Sequence, residues 1–104
     1  GENIGDQGGV RLALDAYHVS LRGRKAPVLD GMSGDQRFFL AWAQGWRGKL
    51  RDDIAKAFLV SDVHSPGRWR VDGTLRNIDE FYAAFDVRPG DKLYLAPKDR
   101  VRVW

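Results

Sequence analysis

Glu2 and Asp6 stand four residues apart, so a helix over this stretch carries both carboxylates on one face. One can then bind a metal ion while the other orients a neighbouring ligand. The same pair is also the acidic first turn that a helix dipole favours. His64 follows Asp62, precedes Ser65-Pro66-Gly67 and lies on the turn that leads to Arg70. A histidine and an arginine on one loop can donate hydrogen bonds to carbonyl oxygens or to an oxyanion. A turn histidine held by a structural hydrogen bond is the plainer alternative. Ser61 and Ser65 make no Ser–His–Asp triad with their neighbours, because adjacent residues rarely meet in triad geometry and no G-x-S-x-G elbow is present. His18 has no acidic or second histidine neighbour at ligand spacing and reads as a surface or packing residue.

Composition narrows the chemistry further. Cysteine is absent, which excludes disulfide scaffolds, zinc ribbons and thiol nucleophiles. The two histidines, His18 and His64, are far apart, so an H-E-x-x-H zinc helix cannot be formed within this chain. The net charge of +3 is modest. Basic residues cluster at 22–25 and 98–102, and Arg68 and Arg70 add to them, but acids interleave throughout. A nucleic-acid surface is therefore weakly supported. No run of 18 apolar residues is present, so no membrane contact is expected from this segment, and GENIGDQGG lacks the basic start and apolar stretch of a signal peptide.

The elements that must position these side chains are mostly helical. Val10, Leu14 and Tyr17 recur at helical spacing and predict a first helix over 2–21, with Gly8-Gly9 as a weak point or a site of tight packing. A Gly- and Pro-punctuated loop follows at 22–32. Ser33 is placed to cap a second helix over 33–46, whose Phe38, Phe39, Trp42 and Trp46 imply burial on more than one face. A third helix is expected over about 51–60, with acids in its first turn. Residues 69–75, WRVDGTL, read as an extended link. Asn77 is expected to cap a fourth helix over 77–85, with Glu80 as its capping-box partner. The tail, 91–104, reads as coil with a short strand. The 104 residues fit one unit, mainly α, of about four helices. Its four tryptophans, three tyrosines and five phenylalanines are many for this size, which implies apolar surface meant for a partner segment.

Five ordered stretches resemble the neprilysin family of zinc metalloendopeptidases: GENIGD at 1–6 with Gly8-Gly9, DQRFFLAWAQGW at 35–46, SDVHSPGRWRVDGTLRN at 61–77, EFYAAF at 80–85 and VRVW at 101–104. The likeness covers nearly the whole chain and is least at 18–34. It implies the C-terminal helical part of a thermolysin-like catalytic domain. By resemblance, Glu2 is the third zinc ligand and Asp6 the carboxylate that holds a ligand histidine. His64 hydrogen-bonds the oxyanion of the tetrahedral intermediate, with Asp62 positioning it. Arg70 grips a substrate carbonyl beyond the scissile bond, and Trp46 lies near the pocket for the residue after it.

The resemblance also implies what is missing. Two histidine ligands and the general-base glutamate belong to an H-E-x-x-H helix upstream in the same polypeptide, so the isolated chain is expected to be inactive. Gly1 reads as a cut within a longer chain. The cysteines that animal members carry near Arg47, Val87 and Val101 are absent, which points to a bacterial member. The expected cofactor is zinc, the substrate a short peptide and the compartment extracytoplasmic. The alternative is a non-catalytic peptide-binding or helical interaction module. Unchanged peptide binding after Arg70→Ala and His64→Ala would count against a peptide groove.

Overall fold

A computed structural model of the chain describes residues 1–103, so the VRVW motif ends outside the described residues at Trp104. Five helices follow one another: α1 Glu2–Ser20, α2 Gly34–Gly45, α3 Asp52–Ser61, α4 Gly67–Leu75 and α5 Asp79–Phe85, with a short 3-10 turn at Pro97–Asp99. The mainly α class stands. Among the described residues β pairing is limited to one bridge between Leu29 and Met32, around an Asp30-Gly31 turn with φ of 51° and 74°. That is the left-handed geometry a two-residue turn requires. No helix of the described residues is long and apolar enough to cross a membrane.

α2 begins at a side-chain cap, and α1, α2, α4 and α5 are each kept by burial. Ser33 caps α2: its Oγ accepts the Gln36 N–H at 3.2 Å, and Gln36 Oε1 accepts the Ser33 N–H at 2.9 Å. Gly34, the next residue, is the contact point with α1. A Cβ there would stand 2.2 Å from Tyr17 Oη and 2.6 Å from Ala26 Cβ. In α1, Gly8 is buried while Gly9 faces open space, so close packing falls on one glycine of the pair. Val10, Leu14, Phe39, Leu75, Ile78, Phe81 and Tyr82 form the core. Phe39 sits at its centre, 1% exposed and edge-on to Phe81 at 5.7 Å. The aromatic density of α2 is spent on several neighbours: Phe38 stacks on Tyr17, and Trp42 meets Trp46 edge-on at 5.4 Å.

Three expectations are corrected. Residues 69–75 are not an extended link but most of α4. Gly67, Gly73 and the mixed polar residues hide any helical stripe, and burial of Thr74 and Leu75 against α1 and α2 overrides the weak propensity. Asn77 does not cap the last helix with Glu80. Its amide donates to the Gly73 carbonyl at 2.7 Å and its oxygen accepts the Val101 N–H at 2.7 Å, while α5 starts at Asp79 without a side-chain cap. Glu80 instead pairs with Arg11 of α1. The tail contains no strand among the described residues. It is pinned by Tyr82, whose hydroxyl accepts the Leu95 N–H at 2.8 Å, and by Arg100, which lies 3.5 Å over the Tyr82 ring and reaches Asp79 at 2.6 Å.

The helices do not close into a tight body. The radius of gyration is 15.2 Å, against about 13 Å for a compact domain of this length. α3 contributes no buried residue at all. His18 is a surface residue that meets Asp35 at 2.8 Å.

Candidate functional site

The N-terminal turns of α1, the end of α2 and the loop from α3 into α4 converge on one place. They bring Glu2, Asp6, Trp46, Asp62, His64 and Arg70 into a single cluster. Asp6 and Arg70, 64 positions apart in sequence, meet because α4 packs along α1.

Arg70 and Asp6 form its most buried part. Arg70 Nε donates to Asp6 Oδ2 at 2.6 Å and Nη2 donates to Oδ1 at 2.7 Å, with the side chains 13% and 9% exposed. Such a bidentate fork fixes the plane of the guanidinium. One face of the guanidinium lies on Trp46, whose ring centroid is 4.0 Å from the guanidinium carbon. Hydrogen bonding to Asp6 raises the already high pKa of Arg70. The pairing uses two of the five guanidinium N–H groups and leaves three.

Asp62 fixes His64. One carboxylate oxygen accepts the His64 backbone N–H at 2.9 Å and faces Nδ1 at 2.7 Å. The backbone bond, followed by the imidazole contact, holds the Asp62 pKa below the usual carboxylate range. Asp62 is therefore ionised at neutral pH and acts only as an acceptor, so Nδ1 must carry the proton. Nε2 points the other way and stands 3.4 Å from Glu2 Oε2. With Nδ1–H given to Asp62, Nε2 becomes a donor when the ring is an imidazolium. Glu2 is half exposed at the head of α1, and among the described residues its carboxylate meets His64.

Gly67 lets these pieces meet. A Cβ there would come within 2.9 Å of the Trp46 backbone oxygen. Gly67→Ala should therefore push α4 away from the end of α2. The expected cost is about 1–3 kcal/mol, read by thermal denaturation; an unchanged melting temperature would show that the approach is not tight.

Beside the cluster runs a groove of about 370 Å³ lined by Trp46, Leu50, Ala55, Phe58 and Leu59 on its apolar side and by Asp62, His64, Ser65 and Arg70 among its polar residues. Leu50, Phe58 and Leu59 are lining residues that sequence reasoning did not single out. Their signal was present in the 3- and 4-residue spacing of Ala55, Phe58 and Leu59, which puts them on one face of α3.

In donor chemistry, Glu2 suits a zinc ligand: an accessible carboxylate with free lone pairs. Among the described residues no group of three His, Asp or Glu side chains stands together at a metal-holding distance. A carboxylate-held histidine and a braced arginine thus stand on the rim of an apolar groove, with the Glu2 carboxylate beside the histidine. Residues 1–101 match Peptidase family M13, and the chain belongs to that family. It is 38% identical over 104 residues to a neutral endopeptidase of Lactococcus lactis, covering 99% of this chain and 15% of that protein. It is 43% identical over 108 residues to mouse neprilysin, covering all of this chain and 14% of the relative. The fold matches the open-state structure of the Mycobacterium tuberculosis zinc metalloprotease Zmp1 with a TM-score of 0.96 and 53% identity, over 99% of this chain and 16% of that one. An inhibitor complex of Zmp1 matches equally well. The chain thus spans about one seventh of the length of these relatives.

Proposed function

We propose that the chain is the C-terminal part of the catalytic domain of a zinc-dependent metalloendopeptidase that hydrolyses bonds in short peptides. The observation that carries this reading is that His64 and Arg70 line one groove with the Glu2 carboxylate 3.4 Å from His64 Nε2, in a chain of a peptidase family. In this reading Glu2 supplies one carboxylate ligand to zinc, and the two histidines of an H-E-x-x-H helix come from the upstream polypeptide. When bound, zinc polarises the scissile carbonyl and lowers the pKa of its water.

The chain's own residues do the rest by position. Asp6 has both oxygens on Arg70, and a carboxylate's remaining lone pairs leave room for a ligand histidine N–H. Arg70 keeps three N–H groups for a substrate backbone carbonyl and cannot swing away from Asp6 and Trp46. His64 presents Nε2–H to the oxygen that gains charge as the carbonyl becomes tetrahedral, and Asp62 balances the imidazolium. Zinc, peptide and upstream helix are the partners of this segment. The family resemblance implies an extracytoplasmic site of action for a bacterial enzyme.

The test uses the full-length protein and residues 1–104 side by side. Chelation should end peptide cleavage by the full-length protein and added zinc should restore it, while residues 1–104 should cleave nothing at any concentration. Chelator-insensitive cleavage by the full-length protein, or activity that scales with the isolated segment, would sink this reading.

A further inference from the structure

We propose that Gln7 is a positioning residue: by tying α1 to the C-terminal tail at Val101 it fixes the helical turns that carry Glu2 and Asp6, and Asn77 fixes the tail for it. The proposal rests on the peptidase reading above and adds two residues to which the resemblance assigns no role.

α1 is poorly equipped to hold these turns by itself. Gly5, Gly8 and Gly9 surround Asp6 inside the helix, and each glycine weakens a helix interior relative to alanine. A Cβ on Gly5 or Gly9 would meet nothing within 4 Å among the described residues, so the described core does not hold them. Contacts from outside the helix must fix its position. Asp6 is held by Arg70 of α4. Gln7, the next residue, lies about 100° further round the helix axis and is held from another side. It is buried, and its Nε2 donates to the Val101 carbonyl, 94 positions away. Arg11, one turn on and on the same face as Gln7, pairs with Glu80 of α5.

The anchor is stiff because the tail is itself tied to the core. Arg100, next to Val101, lies over the ring of the buried Tyr82 and reaches Asp79. Asn77 Oδ1 accepts the Val101 N–H at 2.7 Å, and Nδ2 donates to the Gly73 carbonyl of α4 at 2.7 Å. Hydrogen bonds therefore run from Gln7 to Val101, on to Asn77 and into α4, and α4 returns to α1 through Arg70 and Asp6. A tie at Asp6 alone leaves α1 free to turn about it. The second tie, at Gln7, removes that freedom and with it any rotation that would swing the Glu2 and Asp6 carboxylates away from a shared metal site. Val101 is 54% exposed, so water can replace the Gln7 amide on its carbonyl. Loss of the strut should thus disturb position more than stability.

The experiment measures how fast zinc passes from the full-length enzyme to a chromophoric chelator. Gln7→Met keeps the length of the side chain and removes its donor. It should speed release about tenfold, the lower end of the loss seen when a partner behind the metal ligands is removed. Asn77→Ala should act in the same direction. The double substitution should be no worse than the poorer single one, because both break the same strut. In the metal-free full-length enzyme, amide hydrogen exchange over residues 4–10 should rise in the same variants. Ser33→Ala, which removes the cap of α2, is the control for general destabilisation: it should lower the melting temperature and leave zinc release unchanged. Wild-type release and exchange in Gln7→Met would overturn the proposal while zinc-dependent peptidase activity persists. Release that tracks melting temperature across every variant, Ser33→Ala included, would overturn it too, since a merely structural role predicts that pattern. If Asn77→Ala does not fold, Gln7→Met decides alone. A wild type that holds no zinc would overturn the peptidase reading, and this role with it.

Discussion

His64→Phe is expected to lower kcat of the full-length enzyme by about 10²–10³-fold with little change in KM, the loss found when one oxyanion donor is removed. The geometry makes this residue costly to lose. Asp62 holds Nδ1 at 2.7 Å and the backbone N–H at 2.9 Å, so the ring is oriented before substrate arrives and Nε2 is aimed out of the loop. A donor fixed in advance stabilises charge that develops only in the transition state, which is why kcat and not KM should respond. The ring is exposed and contributes nothing to the described core, so Phe at this position should leave the melting temperature nearly unchanged. A variant that raises KM while keeping kcat would show that His64 binds the ground state instead. Asp62→Ala should follow in the same direction with a smaller loss, because it frees the imidazole without removing it.

The second large effect concerns the brace behind Arg70. Asp6→Ala leaves a guanidinium that is 13% exposed without its bidentate partner. Breaking a buried pair from one side costs about 3–5 kcal/mol. Trp46 still covers one face of Arg70 and water reaches its edge, which places the expected loss near the lower bound. Arg70→Met should cost less, since it removes the charge that would otherwise be stranded. A double-mutant cycle of Asp6→Ala and Arg70→Met, read by chemical denaturation, should show coupling well above about 0.5 kcal/mol. Additive single effects would mean that the ion pair carries no net energy. In the full-length enzyme Asp6→Asn, which keeps the shape and one acceptor, should raise KM more than it lowers kcat if Asp6 acts on substrate binding through Arg70.

Much of the architecture was legible without coordinates where a signal is local. The stripe of Val10, Leu14 and Tyr17 marked α1, and Ser33 marked the start of α2, because caps and periodicity act over a few residues. The link at 69–75 was misread for the opposite reason. Its helix depends on where Thr74 and Leu75 are buried, and two glycines mask its period. Asn77 and Glu80 have the spacing of a capping box, yet long-range partners, Val101 and Arg11, outcompete it.

The site divides along the same line. The i, i+4 spacing of Glu2 and Asp6, the Asp62–His64 turn and the family's ordered motifs singled out all six clustered residues. The sequence by itself determined which chemical groups are present, that no cysteine or H-E-x-x-H is among them, and to which kind of peptidase they belong. Only the tertiary structure decided who holds whom. Asp6 takes Arg70 across 64 positions, Gly67 lets Trp46 slide beneath the same guanidinium, and α3 lays its apolar face along the groove. Such pairings are set by helix packing, and side chains far apart in the chain meet only when burial of a shared core brings their helices together.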